Sequence, residues 1–151
     1  MRSMLRLLLL ASFAVPAQAM AEEPLKKIYS DEEFIEILKN DGYRAVQQID
    51  ERHIRIKVDG YNYDLLIYSD NDLQLYFGMT GYALDDADMN EWNRTKRLSR
   101  AYLDDENDPI LEADLLANAG FTAEQFLEWF EVFVFSASEY RQFLIEHDQD
   151  R

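Results

Sequence analysis

The chain of 151 residues contains no cysteine. A thiol nucleophile, a disulfide framework and a Cys-ligated metal are therefore excluded together. Histidine is nearly as scarce. The two present, His53 and His147, have no HExxH run and no second imidazole nearby, so no zinc ligand set is offered. No GxGxxG, P-loop or GxSxG occurs, which removes the common nucleotide cradles and the nucleophile elbow. Positive charge is in short supply: 15 Lys and Arg stand against 30 Asp and Glu, a formal charge of -15. Such a chain repels nucleic acid and anionic lipid, whose binding needs a basic footprint. Five glycines and three prolines form no linker, repeat or low-complexity tract. Long apolar runs are missing too. Leu7 to Val15 falls short of the roughly 20 residues that span a bilayer.

Nearly half of the residues are apolar or aromatic, enough for one sizeable core in a chain of this length. Residues 1–21 are set apart from it. Arg2 and Arg6 form a basic start, the apolar stretch follows, and Pro16 breaks it before Ala17-Gln18-Ala19 and Ala19-Met20-Ala21. This is the pattern of a cleaved secretory signal peptide. Cleavage after Ala19 or Ala21 is expected, with loss of Arg2 and Arg6 taking the formal charge from -15 to -17. The expected location is periplasmic or secreted, with no stable membrane anchor after cleavage. Residues 22–151 then form a single domain.

Within that domain, Ser30 and Glu33 have capping-box spacing, with Tyr29 and Phe34 placed as a hydrophobic staple. Gly42 is a natural terminator. The spacing predicts a helix over 31–41. Ile54, Ile56 and Val58 alternate with Arg55 and Lys57, a strand with one buried face. Residues 43–50 are its expected partner. Asp59-Gly60 marks a hairpin, and alternation resumes over 62–67 and 73–77, so these four strands read as an antiparallel meander. Asp85 and Asp88 open a second helix, whose basic end complements its macrodipole. Strands over 99–104 and 110–115 flank an acidic turn. Ser99, Ala101 and Leu103 are expected inward, as are Leu111, Ala113 and Leu115; Arg100, Tyr102, Ile110, Glu112 and Asp114 are expected outward. The shorter-loop register pairs Arg100 with Asp114, and a slip by two pairs it with Glu112. Thr122 and Gln125 cap a third helix running to about Glu146. Phe126, Phe130, Phe133, Ala137, Tyr140 and Leu144 make its continuous apolar stripe. The expected fold is α+β, an antiparallel sheet with packed helices in the order α-β-β-β-β-α-β-β-α.

Chemistry is sparse. Asp104, Glu106 and Asp108 alternate as an EF-hand loop begins, but Pro109 stands in place of the needed glycine and Leu115 in place of the distal glutamate. A hairpin turn is expected, with no catalytic residue, metal site or cofactor. Trp92 and Asn93 read as helix packing, the indole against the sheet and the amide on backbone. The competing reading is a recognition patch of Trp92, Asn93, Arg94, Arg97, Arg100 and Tyr102, since arginine beside aromatic residues is the composition of interface hot spots. Trp129, Val132 and Phe135 add apolar groups outside the third helix's stripe. They are expected either under another element or on an association surface, through which the domain would form a homodimer.

Asn90-Glu91-Trp92-Asn93-Arg94-Thr95-Lys96-Arg97, then Arg100-Ala101-Tyr102-Leu103-Asp104 and Asp108-Pro109-Ile110-Leu111-Glu112, resemble the YbjN-domain family. Those proteins are described as sensory transduction regulators of bacteria. The resemblance spans about 31–145 and includes Gly42-Tyr43 and Val58-Asp59-Gly60. It implies a secretion-chaperone-like fold and brings no catalytic residues. The expected function is a non-enzymatic regulatory or chaperone-like module that binds a protein partner of unknown identity. The alternatives are a small acidic envelope enzyme and a calcium-responsive protein with a carboxylate site.

Overall fold

The computed structural model describes residues 25–148; the leader expectation lies outside them. Three helices and six strands follow in the expected order: α1 (Asp31–Asn40), β1 (Ala45–Asp50), β2 (His53–Val58), β3 (Tyr61–Ile67), β4 (Leu73–Gly78), α2 (Asp86–Thr95), β5 (Arg100–Leu103), β6 (Pro109–Leu115) and α3 (Ala123–His147). Each helix begins at a complete capping box, set by Ser30 and Glu33, Asp85 and Asp88, and Thr122 and Gln125. These side chains satisfy backbone donors that the first helical turn leaves unpaired. Gly42, at φ +106°, turns the chain out of α1 in a conformation that side chains disfavour.

The strands form one antiparallel sheet in the order β1-β2-β3-β4-β6-β5. The meander of β1 to β4 is as the alternation predicts. The closing hairpin folds back so that β6, not β5, joins β4. Its register is the slipped one, with Arg100 opposite Glu112 and Ala101 opposite Leu111. The register with Arg100 opposite Asp114 is thus corrected; the one found leaves the tighter loop, since Leu103 pairs with Pro109 and not with Leu111. The Asp104 carboxylate explains it, since Oδ1 accepts from the backbone N–H of Glu106 and of Asp108, both at 2.9 Å. That fixes a five-residue turn and starts the ladder at Leu103–Pro109.

One sheet face holds the core. Ile54, Ile56, Tyr63, Leu65, Leu75, Phe77 and Leu111 are buried there under α1 and α3. All six residues of the predicted α3 stripe are buried. Phe126 packs on Phe34 of α1 with ring centroids 4.9 Å apart, and Tyr140 meets Trp92 of α2 at 4.9 Å. At about 1.5–3 kcal/mol for each large side chain removed from water, α3 is a principal contributor to stability.

The opposite face carries a row with one residue from each strand: Gln47, Arg55, Asp64, Tyr76, Glu112 and Arg100, each directly opposite the next. Arg55 holds Asp64 through two hydrogen bonds of 2.7 and 2.8 Å. Arg100 pairs with Glu112 at the far end. Among the described residues, no helix is long and apolar enough to cross a membrane.

Candidate functional site

The loop between α2 and β5 decides what lies at the edge of the sheet. Trp92 is fully buried, and its Nε1 donates to Ser99 Oγ at 3.3 Å. Ser99 Oγ lies 2.9 Å from Ser136 Oγ on α3, so one polar chain ties α2, the loop and α3 together. Asn93 reaches the same strand from the other end of the turn. Its amide donates to Ala101 O at 2.9 Å and accepts from Ala101 N at 2.8 Å. With Ser99 and Ala101 both held, Leu98 between helix and strand takes φ +66° and is thrown outward, 68% exposed.

A groove of about 490 Å³ opens beside this loop. Leu98 and Arg100 form one bank, Glu112 and Asp114 of β6 the floor, and Trp129 and Val132 of α3 the other bank. Trp129 is half-buried and Val132 is 39% exposed. Phe135, one turn further along α3, is 65% exposed. Of the apolar side chains outside the α3 stripe, Val132 and Phe135 are exposed, while Trp129 is partly covered, its ring centroid 6.2 Å from that of Phe126.

The anticipated recognition patch is only partly assembled. Trp92 is in the core and cannot touch a partner, and Asn93, though exposed, is bonded to Ala101 backbone. For both, the packing reading describes the structure and the competing recognition reading does not: the indole is in the core, and the Asn93 amide is spent on the edge strand's backbone. Arg94 and Arg97 are exposed but stand outside the groove. Tyr102 is half-buried on the far sheet face, with the Arg100 guanidinium 5.9 Å from its ring centroid. Arg100 is the one member that lines the groove, together with Trp129 and Val132.

Glu112 is the residue whose burial alternation does not foretell. Alternation puts it outward, and so it points, yet its side chain is only 4% exposed while that of Arg100 is 66% exposed. The guanidinium lies over the carboxylate, which is flanked by Tyr76 in the next strand. A buried carboxylate requires such a partner. Ile110 is likewise outward in register and buried. Gly78 leaves room for it: a Cβ there would sit 3.1 Å from Ile110 Cδ1. Burial also pushes the Tyr140 hydroxyl well above its usual range, where it stays protonated and donates to Ile110 O at 3.3 Å. The acidic turn spends the Asp104 carboxylate on its own backbone, as a hairpin turn does.

The sheet and helices resemble those of the type III secretion chaperone SycH of Yersinia pestis, solved in complex with a stable fragment of YscM2. The TM-score is 0.54 and the sequence identity 16%, over 70% of this chain and 94% of that one. At that identity the likeness establishes the fold alone. No curated protein matches the chain. Residues 30–146 match the family described as "Putative bacterial sensory transduction regulator", and the match takes in every helix and strand described except the last residue of α3, His147. The chain belongs to the YbjN family.

Proposed function

We propose that this protein is a non-enzymatic regulatory or chaperone-like module of the periplasm or the secreted fraction, and that it works by holding a protein partner in the groove at the sheet edge. The observation that carries this is the groove itself. Leu98 and Val132, with the uncovered part of Trp129, present apolar surface outside the core. The loop behind it is fixed by hydrogen bonds from Trp92, Ser99 and Asn93. A preformed apolar cleft with a few placed polar groups is how proteins take up partners. The fold of a secretion chaperone, and a family described as regulatory, agree with a binding role. The address comes from the leader pattern of residues 1–21.

Affinity capture from an envelope extract tests the reading. The wild-type chain should retain a discrete partner, and Val132→Glu should lose it at unchanged melting temperature. Equal capture by both would contradict the groove as the site. N-terminal sequencing of the envelope protein should begin at Met20 or Glu22; an intact Met1 would contradict the address.

A second association is favoured by one observation. Phe135 is 65% exposed on the same side of α3, beyond the groove. Exposed aromatic surface of this kind is suited to pairing with a second copy.

A further inference from the structure

β5 and β6 differ in length, and the difference leaves backbone uncovered. β5 pairs with β6 only from Leu103–Pro109 to Arg100–Glu112. β6 continues to Leu115, held on its other side by β4 through Leu75–Ala113, Gln74–Asp114 and Leu73–Leu115. Extension of β5 would place Ser99 and Leu98 opposite Ala113 and Asp114. It does not occur, because Leu98 at φ +66° is outside the extended region and Ser99 is held by Trp92 and Ser136. Among the described residues no strand pairs with Ala113 to Leu115 on the side away from β4. Asn93 takes the N–H and C=O of Ala101 on the outer side, so Ala101 and Leu111 face away from each other, and the alternation leaves Asp114 as the residue of this stretch whose N–H and C=O turn to the open side. An unpaired strand edge is a template for another strand.

Ala113 and Asp114 of this edge line the groove, so the open backbone of Asp114 and the apolar bank of Trp129 and Val132 border the same space. Main-chain bonds along an edge with apolar recesses beside it are the two requirements of strand addition. Charge narrows the occupant further. Of the ionisable groups lining the groove, Arg100 is neutralised by Glu112, which leaves Asp114 and Glu128 as surplus carboxylates. The chain as a whole carries -15. An acidic segment would be repelled from both, and a basic one drawn in.

We propose that the groove takes an extended polypeptide segment of alternating apolar and basic residues, which adds a short strand in line with β5 at the open side of Asp114. This rests on the groove being the partner site, and names the kind of partner. A helical occupant would fill the apolar bank without using the edge, and a second copy of this acidic chain would bring the wrong charge.

The test uses the protein purified from the envelope and a synthetic peptide, Lys-Val-Lys-Val-Lys-Val, followed by the emission of Trp129, with Trp129→Phe as control. Saturable binding is expected. Two further peptides carry N-methyl groups on alternate residues, one on each set. One of them should bind at least tenfold more weakly, since one set of amides faces β6. The Glu-for-Lys peptide should also bind at least tenfold more weakly. Equal affinity for both N-methylated peptides would overturn strand addition, and equal affinity for the Glu peptide would overturn the charge assignment. Failure of every peptide, while partner capture remains dependent on Val132, would sink this inference and leave the proposed function standing. Peptide binding and capture both indifferent to Val132→Glu would remove the groove itself.

Discussion

Asn93 and Ala101 are joined as two strands would be. The amide of Asn93 donates to Ala101 O and accepts from Ala101 N, at 2.9 and 2.8 Å. A side chain on α2 thereby completes the outer edge of β5, whose inner edge pairs with β6. Asn93→Ala should cost about 1–3 kcal/mol, because two backbone groups lose their partners at once. Urea unfolding measures it, and hydrogen exchange at Ala101 should accelerate beyond the global change. Asn93→Asp keeps the acceptor and loses the donor, so it should fall between.

The Arg100–Glu112 pair gives a second expectation. An exposed cross-strand ion pair contributes about 0.2–1 kcal/mol. Here only the arginine is exposed, and it shields a buried carboxylate. Arg100→Ala should therefore cost more, about 1–3 kcal/mol, kept below the fully buried case because water can enter where the guanidinium lay. Glu112→Gln in the Arg100→Ala background should recover part of the loss. A double-mutant cycle from thermal melts decides it; a cost under about 0.5 kcal/mol would show the pair to be ornamental.

Alkaline pH should unfold the domain early. Burial raises the hydroxyls of Tyr140 and Tyr63 above the usual value of 10.0. The native state then keeps protons that the unfolded state releases. Stability is full below pH 10 and falls as pH rises past it, by up to about 1.4 kcal/mol per pH unit for each such tyrosine. Tyr140→Phe should lower stability at pH 7, through loss of the bond to Ile110 O, and make the decline above pH 10 shallower. Urea midpoints from pH 7 to 11 give both readings, and an unchanged slope would contradict the burial of that hydroxyl.

Phe135 governs the proposed self-association. Sedimentation of the wild-type chain should show mass rising with concentration, and Phe135→Asp should be monomeric at all concentrations. Its melting temperature at low concentration should hold, since the side chain lies outside the core. A strictly monomeric wild type would remove this role.

Much of the fold was legible because its signals are local. Capping boxes at Ser30, Asp85 and Thr122, the glycine at 42 and the period of two in β2, β3 and β4 each act within a few residues. The α3 stripe was legible for the same reason. What escaped is set by pairs distant in sequence. Asp114 and Glu112 were both open as partners of Arg100, and which of them it covers follows from a register fixed by the Asp104 turn. Nor does the sequence around Leu98 announce a positive φ, which follows from Ser99 being taken by Trp92 and Ser136. The groove is a product of that interruption. Its members Leu98, Arg100, Glu112 and Val132 come from three separate stretches, so only Arg100, Trp129 and Val132 were visible as candidates, and as parts of two different patches.

The groove as partner site is tested most directly by photocrosslinking in intact cells. A photoreactive side chain at position 132 should yield one discrete higher-mass adduct. The same group at exposed Lys39, on α1, should yield none. An adduct at 132 that vanishes with Trp129→Glu is the result the account predicts. No adduct at 132, or the same adduct from 39, would contradict it.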